Sequence, residues 1–283
     1  MSNVAGTTHV RRVPWRRHLG PVALTAAPIG LLFLFLYYPI ARLVLASLSG
    51  GSLQHFQRVL DPLYLQVFSQ TLIISLYVTA CCLVLGYPVA HFLCAAPSRW
   101  ASVGFIFVLL PLWTSVLVRT YAWIILLGRN GVINRALLTL GIVDSPVPFL
   151  YNVPGVVIGM IHVLLPLMVL PLYAVMRRID PDLLKAAAIL GASPLGVFAY
   201  VYLPLSLPGV LAGFTLVFIL SAGFYITPAI MGGGRVLNVA MILEQQSRLD
   251  LPFAAALAIC LLVITLFIYG VSSRLLRGSQ AWS

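Results

Sequence analysis

Long apolar runs constrain this chain more than any other feature of its sequence. A helix needs roughly 20 apolar residues to cross a bilayer, and the chain has six runs close to that length. Inside a bilayer every backbone polar group must be hydrogen-bonded within the protein, and a helix meets that condition by itself. The sequence therefore predicts an all-α, polytopic membrane protein with six transmembrane helices, at residues 21–48, 70–95, 101–118, 152–175, 207–231 and 252–271.

The composition fits a membrane protein and argues against a soluble one. Hydrophobic residues make up 61% of the chain and charged residues only 8%, which is too little charge for a soluble surface. The net charge is +11, but the basic residues do not form a nucleic-acid-binding motif. We therefore expect the lipid bilayer, and no nucleic acid, as a partner. The four cysteines and five histidines lack metal-ligand spacing, and we expect neither a metal site nor a catalytic centre.

Basic residues assign an orientation to the six spans. Residues 1–20 carry four arginines ahead of an apolar run that is too long for the core of a signal peptide. We therefore expect residues 1–20 to be a cytoplasmic segment, residues 21–273 a single transmembrane domain and residues 274–283 a cytoplasmic tail. With both termini inside, the inner side holds most of the basic residues, as the positive-inside rule requires: Arg11, Arg12, Arg16, Arg17, Arg99, Arg177, Arg178, Lys185, Arg274 and Arg277.

Three stretches between the spans are less apolar. Residues 49–68 predict an external connection with a short amphipathic piece. Residues 119–141 and 236–248 mix aromatic, basic and polar side chains with apolar ones. Such mixtures beside a span are typical of helices that lie in the membrane interface. We therefore expect interfacial helices at the outer surface in both places.

The segment 177–208, which we call the elbow, carries helix signals instead of a uniform apolar run. Asp180 followed by Pro181 is typical of a helix start, because the carboxylate caps free N–H groups and proline loses no needed donor there. Gly191 can adopt the left-handed conformation that closes a helix. Ser193 and Pro194 repeat the start signal, and we expect the prolines at positions 204 and 208 to end this second helix.

The elbow also resembles a known sequence element. Ala186 and Ala187, with Gly191 four residues on and Leu203-Pro204 further along, are similar to the EAA loop of ABC importer membrane subunits. In that family the loop is a cytoplasmic coupling helix that docks into a groove of the ATPase. The resemblance implies that the ATPase is contacted by Lys185, Ala186, Ala187, Gly191, Ala192 and Ser193, with Lys185 standing where the family usually has Glu.

The resemblance extends from residue 119 to residue 258. Three further runs, RTYAWIILLGRNGVIN, IGMIHVLLPLMVLPLY and FYITPAIMGG, are similar to permease subunits of the spermidine/putrescine (PotB-like) type. This similarity implies a bacterial inner-membrane importer built from two permease subunits as a hetero-dimer, two ATPase subunits and an external solute-binding protein. The chain itself has no GxxxxGK[ST] motif. We therefore expect a permease that is not an enzyme and binds no cofactor, while the partner ATPase uses ATP and Mg.

Polar and aromatic residues within or beside the spans are candidates for lining the translocation path, because they are costly in contact with lipid. The candidates are Trp113, Thr114, Arg119, Tyr121, Trp123, Ser221, Tyr225 and Thr227. Packing between helices, or anchoring at the membrane interface, is the alternative role for each of them.

The residues leave the cargo open. Aromatic faces suit a cationic polyamine such as spermidine or putrescine, yet no Asp or Glu lies within the six apolar cores. The carboxylates for a polyamine would come from the second permease, or from Glu244 and Asp250 at the outer mouth. Arg119 would instead favour an anion, so the alternative cargo is an anionic or zwitterionic molecule such as a phosphonate, an opine or an amino-acid derivative. A secondary transporter is the alternative from another class.

Overall fold

The computed structural model describes residues 19–49 and 53–280, which fold into helices without a β-strand. The predicted N-terminal arginines at positions 11, 12, 16 and 17, and the last three residues of the predicted tail, lie outside the described residues. The helices are α1 Leu19–Ser47, α2 Gln54–Val59, α3 Pro62–Ala95, α4 Ser98–Trp113, α5 Val116–Leu127, α6 Val132–Thr139, α7 Val153–Met176, α8 Pro181–Ile189, α9 Pro194–Val197, α10 Leu203–Ala222, α11 Ile226–Met231, α12 Val239–Leu249 and α13 Leu251–Gln280.

The predicted number of membrane spans is confirmed. Six helical segments of the described ranges are long and apolar enough to cross a bilayer: Pro28–Ser47, Pro62–Ala95, Val116–Thr139, Val153–Met176, Pro194–Ala222 and Leu251–Leu275. Five of them overlap predicted spans, although α3 begins eight residues earlier than expected, the fifth segment is shifted toward the elbow, and α13 continues into the predicted tail. The third segment differs from the prediction.

The third crossing is broken into two helices. α4 ends at Trp113 because Thr114 is extended, with φ −98° and ψ 148°, and α5 starts again at Val116. Near one end of α7, Phe105 of α4 packs 4.5 Å from Tyr173, ring centroid to ring centroid. Further along α7, Trp123 of α5 lies 5.7 Å from His162. α4 and α5 therefore run in succession beside α7, and the expectation of a surface helix over residues 119–127 was wrong.

The fifth crossing is longer at its start and shorter at its end than predicted. α9 continues through a π-helical turn, Phe198–Tyr202, directly into α10. The Leu203 N–H donates to the carbonyl of Phe198, five residues back. This widened turn precedes Pro204, whose ring would otherwise press on the carbonyl of the turn before it. The prediction that the prolines at positions 204 and 208 end the helix was therefore wrong, and α10 ends only at Ala222.

The core of the bundle is formed by α3, α7 and α10. Tyr87 of α3 and Ser206 of α10 share a hydrogen bond of 2.9 Å. Gly209 of α10 sits against the α7 backbone, where a Cβ would lie 3.1 Å from the Pro171 carbonyl oxygen and 3.2 Å from the Leu172 Cα. The absence of a side chain at this position lets the two helix backbones approach closely.

The bundle has two distinct ends. At the elbow end, the last turns of α3 and α7 meet the first turn of α4, and Cys94 Sγ lies 4.0 Å from the Tyr173 carbonyl oxygen. At the opposite end, which we call the far end, Tyr151 donates its N–H to the Met231 carbonyl at 3.1 Å. α2 and α12 lie with the start of α13 at this far end in a second apolar cluster around Phe253.

The contact between α7 and α10 can be tested at Gly209. We expect Gly209→Val to lower the free energy of unfolding by about 1–3 kcal/mol, because overpacking against a backbone cannot be relieved by a side-chain rotation. The matched control is Gly270→Val, since a Cβ at Gly270 meets nothing within 4 Å. Unfolding of the purified chain in detergent measures both variants. Equal destabilisation by the two substitutions would contradict the close contact.

Candidate functional site

The elbow begins and closes with backbone and side-chain hydrogen bonds that its sequence predicted. The Asp180 carboxylate accepts the N–H of Asp182 at 2.9 Å and so caps α8. At the other end, Gly191 has φ +90°. The N–H groups of Gly191 and Ala192 donate to the carbonyls of Ala188 and Ala187 at 3.0 and 3.1 Å. This pair of bonds closes a helix through a left-handed residue, and both predicted helix ends are confirmed.

The surface of the elbow is largely apolar and exposed. Ile189 and Leu190 at the end of α8 are 85% and 88% exposed, and Leu195 of α9 is also exposed. The predicted coupling residues share this exposure, except that Ala187 is half-buried: Lys185, Ala186, Ala187, Gly191, Ala192 and Ser193. Exposed apolar patches of this kind mark surfaces that bind another protein or a membrane.

The Lys185 side chain has a partner within the elbow itself. Its ammonium group lies 2.8 Å from an Asp182 carboxylate oxygen, and both side chains are exposed. Ion pairs in such exposed positions contribute little to stability. Their effect here is to neutralise the charge that Lys185 brings to the face of α8, which leaves the apolar residues as the main feature of that face.

Four of the predicted path residues lie on the surface of this subunit. Trp113 is 89% exposed at the end of α4, and Tyr121 and Tyr225 are exposed as well. Thr114 is exposed at the break after α4, where its hydroxyl donates to the Pro111 carbonyl at 2.9 Å. Three aromatic side chains are therefore available to a partner, a lipid or a solute.

Two of the predicted path residues are engaged in contacts between helices. Thr227 of α11 is fully buried and shares a hydrogen bond of 3.3 Å with Thr120 of α5. Trp123 packs edge-on against His162 of α7. The sequence did not indicate Thr120 and His162 as partners, because these contacts depend on which face of α5 packs against α7 and α11.

Arg119 is the most unusual side chain in the bundle. It is only 8% exposed, and its Nε and Nη1 atoms form no hydrogen bond to any described residue. Ser221 Oγ and His162 Nδ1 share that condition. A buried unpaired charge is costly, and within a membrane-spanning helix it marks a candidate functional site. The described residues of this subunit therefore provide no acceptor for the Nε and Nη1 atoms of Arg119.

The two acidic residues predicted at the outer mouth both have basic partners. Glu244 of α12 lies 2.6 Å from Arg248 one turn later. Asp250 lies 3.0 Å from Arg58 of α2, and it also accepts the N–H of Phe253 at 3.1 Å. The Arg58 guanidinium stands over the Phe253 ring at 4.2 Å. Asp250 thus caps α13 and ties α2 to it, a structural role that the sequence did not indicate.

Two asparagines hold the far end together. Asn134, fully buried in α6, donates to the carbonyls of Gly128 and Val147 at 3.0 Å each and accepts the N–H of Val147 at 2.8 Å. Asn238 caps α12 by accepting the N–H of Met241 at 2.9 Å, and it donates to the Phe224 carbonyl at 2.6 Å. The breaks before α6 and after α10 are therefore fixed by side chains.

Known membrane transport proteins are similar to this chain over most of its length. The family described as "Binding-protein-dependent transport system inner membrane component" matches residues 42–278. The spermidine/putrescine transport system permease protein PotB of Escherichia coli (strain K12) is 38% identical over 231 residues, which cover 80% of this chain and 84% of that protein. The putative 2-aminoethylphosphonate transport system permease protein PhnU of Salmonella paratyphi A is 30% identical over 259 residues, 88% of each chain.

A solved structure shares the fold. A chain from the crystal structure of a bacterial alginate ABC transporter, in complex with an alginate pentasaccharide-bound periplasmic protein, superimposes with a TM-score of 0.72. The match covers 92% of this chain and 96% of that one, at 20% sequence identity. At 20% sequence identity, this similarity shows a shared fold and nothing about the cargo.

Because Nε and Nη1 of Arg119 lack acceptors among the described residues, we expect the loss of this side chain to stabilise the chain. Replacing Arg119 by Met removes a buried charge while keeping a long side chain, so the free energy of unfolding should rise by about 1–3 kcal/mol. Arg129→Met is the control, because Arg129 is exposed and its loss should change stability by at most about 0.5 kcal/mol. Denaturation of the isolated chain in detergent measures the free energy of unfolding of both variants. A destabilised Arg119→Met variant would show that the guanidinium already has a partner.

Proposed function

The chain belongs to the binding-protein-dependent transport system inner membrane component family, the permease subunits of ABC importers, and we propose that its cargo is a polyamine such as spermidine or putrescine. The observation that carries this proposal is the 38% identity over 231 residues to the spermidine/putrescine permease PotB. Family membership sets aside the secondary transporter and makes this chain a membrane component rather than an enzyme.

We further propose a full assembly around this subunit. A second permease forms the other half of the translocation path, two ATPase subunits hold ATP and Mg, and an external binding protein delivers the solute. The six apolar segments of the described residues provide the membrane part, and the exposed apolar elbow provides a surface for an ATPase. In this assembly we propose a cytoplasmic position for the elbow, with residues 1–20 and 274–283 on the same side.

The geometry of the elbow supports a mechanical role. The elbow lies between α7 and α10, the two helices whose backbones approach closely at Gly209. α9, the π-helical turn and α10 form one continuous helical rod from Pro194 to Ala222. Because the rod passes without a loop from the elbow into the core, a displacement of the α8 and α9 surface moves α10 and the helices packed on it. Closure of the ATPase pair would in this way reorganise the translocation path.

The translocation path on this subunit is proposed to run along its exposed aromatic side chains. Trp113, Tyr121 and Tyr225 are exposed on α4, on α5 and after α10, and aromatic faces attract ammonium groups. Glu244 and Asp250 already have basic partners. The carboxylates that a polyamine needs are therefore assigned to the second permease, facing these aromatic rings.

An anionic or zwitterionic cargo is the second candidate. Two observations favour it: the buried Arg119, whose Nε and Nη1 lack acceptors among the described residues, and the 30% identity to a permease named for 2-aminoethylphosphonate transport. Arginine is well suited to a phosphonate because its planar donors match the oxygen atoms. In that case Arg119 would meet the anionic group of the solute on the path.

The cargo can be tested on the binding protein that delivers it. We expect spermidine or putrescine at saturating concentration to raise the melting temperature of the cognate external binding protein, because a ligand that binds only the folded state stabilises it by about 2.7 kcal/mol at a hundredfold excess over its dissociation constant. The same scan is run with 2-aminoethylphosphonate and with amino acids. Stabilisation by the phosphonate and not by either polyamine would replace the first candidate with the second.

The coupling role of the elbow can be tested at Gly191. We expect Gly191→Val to abolish ATP-driven uptake while the chain still inserts, because a β-branched residue at φ +90° is strained and opens the end of α8. Gly191→Asn is the matched control: asparagine has a similar size and tolerates the left-handed conformation. It should retain most of the uptake, since a Cβ at this position meets nothing within 4 Å. Normal uptake by the valine variant would refute the coupling assignment.

A further inference from the structure

A polar cavity lies at the elbow end of the bundle, apart from the exposed apolar surface of α8 and α9 and from the proposed path. It has a volume of about 340 Å³ and is lined by residues at the ends of α3 and α7 and in the first two turns of α4. Its polar lining comes from Cys94, Ser98, Ser102, Tyr173 and Arg177, and no carboxylate is among the lining residues. The cavity therefore offers a positive charge and hydroxyl groups without an internal acid to neutralise them.

The hydrogen-bonding pattern of the lining leaves donors free. Arg177 donates to the hydroxyl oxygen of Tyr173 and lies 5.6 Å over its ring. The phenolic hydrogen of Tyr173 therefore remains available, as do the other N–H groups of the guanidinium. Ser98 Oγ forms no hydrogen bond to a residue that the structure describes, and Pro97 supplies no side-chain cap to α4. Several donors can therefore converge on one anionic group with multiple oxygens.

The wall formed by α4 continues from polar to apolar. Ser98, Ser102, Ile106 and Leu110 follow one another at intervals of four residues, so they lie along one stripe of the helix. The two serines line the cavity, while Ile106 and Leu110 are exposed. A ligand with an anionic head and apolar chains matches this order, the head at the serines and the chains along the exposed isoleucine and leucine.

The surroundings of the cavity have the character of a membrane interface. Trp100 is exposed in the first turn of α4, and tryptophan is enriched where hydrocarbon meets water. Arg99 and Arg178, next to the cavity in sequence, add basic charge at the same end of the bundle. Basic clusters at this depth attract anionic lipid headgroups.

From these observations we propose that the cavity binds the phosphate headgroup of an anionic phospholipid, with Arg177, Tyr173 and Ser98 as its donors. Arg177 directly follows α7 and stands three residues before the Asp180 cap of α8. A lipid held there fixes the junction through which the elbow is joined to the bundle. The permease then depends on an anionic lipid for a rigid connection between α7 and the elbow.

The binding step is tested by native mass spectrometry of the full-length chain in detergent, titrated with phosphatidylglycerol or phosphatidylcholine. We expect one phosphatidylglycerol to bind roughly tenfold more tightly than phosphatidylcholine, because both lipids carry a phosphodiester but phosphatidylcholine also brings a quaternary ammonium cation close to Arg177. Arg177→Gln should remove this preference. Arg178→Gln is the matched control, since it removes the same charge one residue away from the lining, and it should leave the preference within about twofold.

A second variant tests the cavity without changing any charge. Ala101 lines the cavity, and Ala101→Phe should fill it and weaken phosphatidylglycerol binding by roughly tenfold, provided that its melting temperature stays near that of the native chain. Equal binding of both lipids, or an unchanged preference in Arg177→Gln and Ala101→Phe, would overturn the proposal. So would full displacement of the lipid by inorganic phosphate, which would identify a free anion as the ligand, or by the partner ATPase, which would identify a protein interface.

Discussion

Gly209 lets the α10 backbone pack directly on the α7 backbone, and the remaining architecture depends on this contact. The two helices leave no room for a side chain at this position, since a Cβ on Gly209 would lie 3.0 Å from Val175 Cβ and 3.1 Å from the Pro171 carbonyl oxygen. The elbow is the connection between these same two helices. It is therefore anchored on both sides to helices whose backbones approach closely in the core of the bundle.

Helix breaks in a membrane protein require other groups to take over the freed backbone hydrogen bonds. The break between α10 and α11 is held by Asn238, which reaches the Phe224 carbonyl. The turn between α5 and α6 is held by Asn134 through the Gly128 carbonyl. Inside a helix, the π-helical turn before Pro204 keeps the backbone hydrogen-bonded, because the Leu203 N–H donates to the Phe198 carbonyl. The far end, where the breaks cluster, is thus built from irregular but hydrogen-bonded segments.

Local signals in the sequence were enough to predict the elbow and the number of spans. Asp180 and Gly191 act on backbone groups within a few residues, so their effect can be derived from neighbouring positions. Other features depend on interactions that a local reading of the sequence does not contain. The inward rotation of Arg119 depends on how α5 packs on α7. The role of Asp250 depends on Arg58, which lies 192 positions earlier in the chain, and the survival of the helix at Pro204 depends on a compensating change in helical pitch.

The distribution of charge leaves one buried cation without an acceptor among the residues that the structure describes. Of its acidic side chains, Glu244 and Asp250 have basic partners at the far end, and Asp182 pairs with Lys185 on the elbow. The buried Arg119 has no acceptor for Nε or Nη1 within the described residues. An unpaired cation in a bundle core costs free energy, and an acceptor from outside the described residues would lower that cost. In the proposed assembly, such an acceptor would be a carboxylate of the second permease or the solute itself, and these two possibilities correspond to the two candidate cargoes. A polyamine would bind to the same carboxylate as Arg119, or would replace Arg119 as the partner of that carboxylate. An anion would bind to Arg119 directly.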